Sequence, residues 1–433
     1  MEFPHTLDAW LAHVEQVHHR PVDLGLERVR TVAQRLNLQL PGTSIVVGGT
    51  NGKGSTCAML DAILRAAGYR VGRYSSPHLL RFNERVRIDG QEASDAELMA
   101  QFERIERARA ATTLTYFEFT TLAALACFAQ QRLDVAVLEV GLGGRLDAVN
   151  IVDADCSVVT TVDLDHTELL GPTREHIAAE KAHIFRPGRP AICVDPDPPN
   201  TLTQYALRIG AQLWRLGHEF FVEGPSDAQA GSQWNYLGRK TSRMALPWPA
   251  LRGAHQLRNA AGALAALEAL EPRLPVEQQA VRRGLTNVQL SGRFQVVPGR
   301  PVLVLDVAHN PHAALALARA LKAHRSLAGL RGATRAVFGM LRDKDVHAVV
   351  QTLFEQVDHW HLAPTHGERG LPVAALEARA FDQLPVTHRS RHESVAAALE
   401  QALAQAGPDD RILVFGSFVI VAEALRWLER RSR

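Results

Sequence analysis

The sequence predicts an α/β protein made of two domains, each with a mostly parallel sheet. Three observations carry that prediction. Short, wholly apolar runs rich in β-branched residues alternate with helical patterns; a glycine-rich turn joins one such run to a helix at 45–56; and a second series of strand–helix units begins near residue 300. With 433 residues, the chain has room for two or three domains of about 100–200 residues each.

Composition narrows the class. Apolar residues make up 46% and Asp, Glu, Lys and Arg 22%, which excludes wholesale disorder. The net charge of +2 gives no argument for a polyanionic partner, so a nucleic-acid-coating role is disfavoured. No apolar run approaches the ~18 residues of a membrane span. The start, MEFPHTLDAW, lacks the basic region and apolar core of a secretory signal. Cys57, Cys127, Cys156 and Cys193 are widely spaced and form no CxxC, so neither a disulfide scaffold nor a zinc site is expected and a cytoplasmic setting fits.

The elements follow in order. Ile45–Val47, Val71–Tyr74, Val135–Val140, Cys156–Val162 and Ala191–Val194 read as strands, mostly of the fully buried kind. Thr56–Ala67 reads as a helix with Cys57, Met59, Leu60, Ile63 and Leu64 on its apolar side, ended by Gly68. Ser94 with Glu97 forms a capping box that opens another helix. Between Gln212 and Leu246 the texture suggests a few antiparallel strands, and His255–Leu270 an alanine-rich helix. A boundary is expected within Ser291–Pro298, dividing the chain into 1–295 and 296–433. Beyond it, Val302–Leu305, Arg335–Phe338, Trp360–Ala363 and Ile412–Phe415 are strands flanked by helical patterns.

The sharpest local signal is the run from Ile45 to Thr56, IVVGGTNGKGST. Glycines let a turn curl its N–H groups toward phosphate oxygens, and a helix N-terminus adds partial positive charge. Asn51, Gly52, Lys53, Gly54, Ser55 and Thr56 are the candidate phosphate-binding residues, with Lys53 reaching the β- and γ-phosphates. The match to G-x-x-x-x-G-K-[ST] is imperfect: position 47 is Val, and Gly54 separates Lys53 from Ser55.

Glu139 ends a buried strand, at the edge where open α/β sheets collect ligands, and a carboxylate there suits Mg²⁺. It could equally bond local backbone. His166, in DLDHTE, would share that edge, but a loop histidine satisfied by its surroundings reads as well. Ser76 in SSPHL could face a metal or merely form a Ser-Pro turn. Lys181 falls in a helical pattern, where a lysine is ordinarily solvated.

Taken together, GGTNGKGST (48–56), SSPHL (75–79), TYFEFTTLAAL (115–125), LEVGLGGRLDAVNIVDAD (138–155), LDHTELLGPTREHIAAEKAHIFR (164–186), SGRFQ (291–295), DVAHNPHAA (306–314), FGMLRDKD (338–345) and FGSF (415–418) resemble the Mur ligase superfamily, most closely its folate branch. HRPVDLGLERV (19–29) resembles the same branch, as does the Gly-Lys-Gly-Ser-Thr variant of the phosphate loop. The resemblance implies a P-loop-type central domain with a small antiparallel section, followed by a smaller Rossmann-like domain.

It also implies an activity. An ATP-dependent ligase would phosphorylate the carboxylate of dihydropteroate, or the γ-carboxylate of a folate already carrying glutamate. L-glutamate would then attack the acyl phosphate. Mg²⁺ and ATP are the implied cofactor and co-substrate, with room for a monovalent cation, and the partners are these small molecules; a monomer is the default, since no extended apolar surface stripe is read from the sequence. By the family match, Ser76, Glu139 and His166 hold Mg²⁺, and Lys181 carries an N6-carbamate supporting the metal. Lys53, His166 and Lys181 are then the catalytic set. Asn259, Arg293 and Asp306 match nucleotide contacts, so ATP would bridge the domains. His309 and Ser417 match the receiving site for glutamate, although Ser417 also reads as a helix N-cap. The pterin would meet Asp23, Leu24 and Gly25, then Thr115, Tyr116, Phe117 and Glu118, and Leu146, Asp147 and Ala148. Tyr116 or Phe117 would stack on the ring or belong to the core.

Three other readings compete. One is glutamate-chain extension alone. Another is a cell-wall ligase of the same superfamily, for whose additional N-terminal domain the 44 residues before Ile45 are too few. The last is a non-catalytic P-loop switch or scaffold.

Overall fold

The computed structural model describes residues 3–225, 232–381 and 386–431. The chain separates into two compact units. The larger comprises Met1–Gly224, Gln233–Ala250 and Leu257–Val288; the smaller is chiefly Gln289–Arg433, with Leu251–Gln256 joining it.

The larger unit is built on eight strands: β1 (Thr43–Gly48), β2 (Val71–Tyr74), β3 (Val86–Ile88), β4 (Gln91–Glu92), β5 (Val135–Glu139), β6 (Cys156–Val159), β7 (Pro190–Cys193) and β8 (Gln212–Arg215). Their order is β4-β3-β2-β5-β1-β6-β7-β8. All neighbours run parallel except the β2–β3–β4 edge. Ile45–Val47 and Val135–Leu138 are at most 1% exposed, as a sheet covered on both faces requires. A separate antiparallel sheet follows, from β9 (Phe221–Glu223), β10 (Gln233–Leu237) and β11 (Ser242–Pro247).

Three expectations need adjusting. The helix after β1 starts at Lys53, three residues before Thr56, because Gly52 turns the chain in the left-handed region (φ 89°) and leaves Lys53 in its first turn. It ends as expected, with Gly68 at φ 92° and the Tyr69 N–H bonded to the Leu64 carbonyl. The strand expected over Cys156–Val162 stops at Val159; Thr160 N–H still bonds Gly48 O, while the Thr160 and Thr161 side chains bond the phosphate loop. The segment from Gln212 opens with β8, which extends the parallel sheet; antiparallel pairing begins only at β9.

The smaller unit has six strands: β12 (Gln295–Val297), β13 (Val302–Asp306), β14 (Thr334–Phe338), β15 (His359–Leu362), β16 (Arg389–Arg391) and β17 (Arg411–Phe415). Their order is β12-β13-β17-β14-β15-β16, parallel but for β12. Its core gathers Phe338, Trp360, Phe381 and Phe415, with ring centroids 4.8–6.1 Å apart.

Candidate active site

Topology does most of the assembly. β2, β5, β1 and β6 are parallel neighbours, so the residues following each strand emerge at one sheet edge. That edge therefore receives Ser75–Ser76, Glu139, the phosphate loop and the segment leading to His166.

Two close approaches shape the phosphate loop. Gly49 (φ 143°) and Gly52 (φ 89°) both occupy backbone space that side chains avoid. A Cβ on Gly49 would collide with Thr160 Oγ1, and one on Gly52 with the amide of Asn259, which helix His255–Ala269 buries against the loop. Thr160 Oγ1 donates to the Asn51 carbonyl at 2.6 Å, and Thr161 Oγ1 accepts from Asn51 N–H at 3.2 Å. Thr50 and Asp163 exchange two further bonds of 3.0 Å. Thr160, Thr161 and Asp163 were not singled out from sequence; the hydroxyl pair opening TTVDLDH was the available signal. Lys53 Nζ lies over the loop, donating to Gly49 O (2.9 Å) and Thr50 O (3.2 Å). Ser55 and Thr56 are buried in the first turn behind it, and among the described residues Thr56 Oγ1 has no hydrogen-bond partner.

Glu139 is 4% exposed and accepts from the Ser76 backbone N–H at 3.3 Å, so the structure brings these two residues together. His166 adopts a left-handed conformation (φ 50°, ψ 40°) ahead of helix Thr167–Leu170, with its N–H on Asp165 Oδ1 at 3.0 Å. Among the described residues no group of three or more His, Cys, Asp or Glu side chains is placed to hold a metal ion. The implied set has another chemistry: one hydroxyl, one carboxylate, one imidazole and a lysine. Its oxygen donors at a phosphate-facing edge fit Mg²⁺.

Lys181 is not the solvated lysine of its sequence pattern. Helix Arg174–Ala182 buries it to 4% exposure. Desolvation first, then the Lys53 charge, pushes its pKa down to about 7, while Asp165 and Asp147 oppose that shift. Lys181 is thus within electrostatic reach of the phosphate loop and of the residue preceding His166. Gly144 allows the approach: a Cβ there would stand 2.7 Å from Glu180 O and 3.1 Å from Lys181 Cα.

The expected pterin segments also meet. Phe117 presses on Gly141, where no Cβ would fit, and its ring lies 6.3 Å from Tyr74. Tyr116 faces the Arg85 guanidinium at 5.6 Å, and both aromatic side chains are half-buried on the edge of the core. Buried Asp147 accepts from Leu142 N–H (2.8 Å) and Val149 N–H (3.0 Å). Desolvation nevertheless raises its pKa to about 6. Ala148 is buried beside it and Leu146 half-buried. Asp23, Leu24 and Gly25 are half-buried, and Asp23 is joined to Glu118 through Arg28. Arg28 and His18 were not singled out from sequence.

The smaller unit holds the remaining candidates. Asp306 ends β13 and takes N–H groups of Phe294 and Ala308, each at 2.8 Å. Burial raises its pKa while nearby Arg293 opposes the shift. The Arg293 guanidinium lies 5.1 Å from the Phe418 ring, and His309 6.1 Å from the same ring. Ser417 is 2% exposed and accepts from Ile420 N–H at 3.2 Å, the geometry of an N-cap on helix Phe418–Arg431. Arg293, His309 and Ser417 therefore share the C-terminal edge of this sheet with Asp306.

A P-loop-type α/β unit with an acid at the adjacent strand end, followed by a second α/β unit, defines a nucleotide-dependent group-transfer class. Family comparison resolves it further. The Mur ligase middle domain matches residues 47–267, and the Mur ligase, glutamate ligase domain matches residues 292–418. The chain belongs to the Mur ligase family.

The dihydrofolate synthase/folylpolyglutamate synthase of Escherichia coli K12 is 44% identical over 431 residues, covering 98% of this chain and 96% of the relative. That of Haemophilus influenzae is 41% identical, covering 96% of each. Among solved structures, E. coli FolC in complex with DHPP and ADP superposes with a TM-score of 0.92 at 44% identity, covering 99% of both chains. The Yersinia pestis CO92 bifunctional folylpolyglutamate synthase/dihydrofolate synthase, complexed with AMPPNP and Mn ion, gives 0.90 at 45% identity, covering 99% of this chain and 100% of that one. The resemblance read from the motifs and the α/β architecture are both borne out.

Proposed function

We propose that the chain is an ATP-dependent ligase that adds L-glutamate to dihydropteroate and to the γ-carboxylate of tetrahydrofolate glutamates. The observation that carries this reading is the convergence, at the ends of β2, β5, β1 and β6, of the phosphate loop, the Ser76–Glu139 contact and the loop containing His166, with buried Lys181 in electrostatic reach.

A carboxylate is a poor electrophile. Its oxygen attacks the γ-phosphorus of ATP, ADP leaves, and the acyl phosphate carries a good leaving group. The amine of glutamate then attacks the acyl carbon, and phosphate departs as the amide forms. Such a transfer needs positioning and charge neutralisation more than covalent help from the protein. Loop N–H groups and Lys53 would hold the phosphates, with Lys53 exchanging its loop carbonyls for phosphate oxygens. Ser76, Glu139 and His166 would hold Mg²⁺, which supplies further neutralisation when bound. Lys181, through an N6-carbamate, would present a carboxylate in place of an ammonium next to Lys53.

Asn259, Arg293 and Asp306 serve as nucleotide contacts in this reading, and His309 and Ser417 receive glutamate. Residues 1–295 hold ATP and the pterin, which meets Asp23–Gly25, Thr115–Glu118 and Leu146–Ala148; residues 296–433 form the glutamate domain. A cytoplasmic monomer needing neither nucleic acid nor membrane fits. No helix among the described residues is long and apolar enough to cross a membrane.

Mass spectrometry of the products from purified protein with ATP, Mg²⁺, glutamate and either dihydropteroate or tetrahydrofolate tests the reading. Mass gains of one glutamyl unit on both acids support it. A gain on tetrahydrofolate only leaves a chain extender, and ATP binding without product on any folate ends the ligase reading.

A further inference from the structure

The loop that carries Asp23, Leu24 and Gly25 lacks helix or strand structure of its own. Among the described residues, no backbone–backbone hydrogen bond holds 18–25. Side chains hold it instead. Arg28, in the first turn of helix Glu27–Arg35, donates through Nη1 to Asp23 Oδ2 at 2.7 Å and through Nη2 to Asp23 O at 2.5 Å. The same guanidinium reaches Glu118 on the other wall, with Nε to Oε2 at 3.3 Å and Nη2 to Oε1 at 3.1 Å. His18 supports Asp23 from behind: Nε2 lies 3.2 Å from Asp23 Oδ2, and Nδ1 lies 2.9 Å from Thr113 Oγ1.

Glu118 is an anchored post. Its side chain is 5% exposed, and Oε2 accepts from both Thr115 N–H (2.8 Å) and Thr115 Oγ1 (3.0 Å), closing the capping box of helix Tyr116–Ala129. A planar fork can span two acceptors on one segment and one carboxylate on another; a lysine ammonium can serve one side or the other.

We propose that Arg28 is a positioning residue for the pteroyl acid, clamping the loop Asp23–Gly25 to the start of helix Tyr116–Ala129 so that the pocket walls are set before substrate arrives. This rests on the pteroyl-site reading above. Without the clamp, the loop must be ordered at the expense of pteroyl binding, while the phosphate loop on β1 keeps its own Thr160–Thr161 ties.

Steady-state kinetics of the full chain test it, with each substrate varied in turn and thermal melts of every variant. Arg28→Ala should raise the KM for dihydropteroate about 10- to 100-fold, the scale of lost charge-assisted hydrogen bonds. The KM for ATP should stay within about twofold, kcat at saturation should change little, and Arg28→Lys should fall between. An unchanged pteroyl KM overturns the proposal. So does a parallel rise in all three KM values with a lowered Tm, which would mark general destabilisation. Wild-type protein inactive on every pteroyl acid would remove the underlying reading and the clamp with it, an outcome visible before any substitution is made.

Discussion

The two units bury ionisable groups in different places. In the larger, the strongly shifted Lys181 (pKa about 7) and Asp147 (about 6) lie by the strand ends that carry the phosphate loop and Glu139. In the smaller, the strongly shifted histidines are His324 (about 4), on helix Pro311–Leu327, and His361 (about 3), within β15. His361 contacts Ser390 and His392 at 3.1 and 3.2 Å, remote in sequence from Asp306, His309 and Ser417. Meanwhile Asp306 and Ser417 accept from local backbone N–H groups. Strongly shifted groups thus occur both beside the candidate site, as at Lys181 and Asp147, and away from it, as at His324 and His361, and topology, rather than the size of the shift, tells them apart.

Substitutions can break that contrast. The largest effect is expected at Lys181→Ala. Turnover should fall about 100-fold or more, the scale for removing one preorganised charge-stabilising group, with ATP binding largely intact by calorimetry. Wild-type turnover would remove the carbamate. Next, Glu139→Gln should raise the Mg²⁺ concentration for half-maximal ADP release about tenfold or more; an unchanged titration counts against its ligand role.

The pH response sharpens the comparison. His361 stays neutral when folded, through burial first and then the charges of His359, His392 and Arg335, but the unfolded chain takes that proton below about pH 6.5. The unfolded state therefore binds more protons, and stability falls as pH drops from about 6.5, by about 2 kcal/mol at pH 5 from His361 alone. Asp147 has the opposite sign: its folded pKa is raised, so its contribution improves as pH falls through 6. Thermal melts at pH 7.5 and 5 should show acid loss in the wild type and less loss in His361→Asn. Equal losses would locate the sensitivity elsewhere. The smallest effect is expected at Ser417→Ala, about 1 kcal/mol of lost capping. A glutamate KM that rises well beyond what that loss explains would show Ser417 contacting ligand as well.

Particular residues show how far the sequence could be read. The glycine run between an apolar strand and a helix determined the phosphate loop, because only a few backbone geometries suit it. Glu139 was legible as a strand-end acid. Lys181 was not: its helix reads as half-polar, and its burial goes with the close approach of that helix to Gly144, a contact distant in sequence. The Cys156–Val162 run is apolar enough to read as strand throughout, yet the strand ends at Val159 and the Thr160 and Thr161 hydroxyls bond Asn51 O of the phosphate loop.

Local chemistry in the sequence was enough for the alternating strands and helices, the phosphate-binding turn and the family. Those features depend on periodicity and backbone freedom within a dozen residues. The tertiary structure alone decided which side chains face one another across the fold: Arg28 between Asp23 and Glu118, Asn259 against Gly52, Lys181 in reach of Lys53. Arg28 and Glu118 lie 90 positions apart and Gly52 and Asn259 207, a juxtaposition set by sheet order and helix packing that no local pattern encodes.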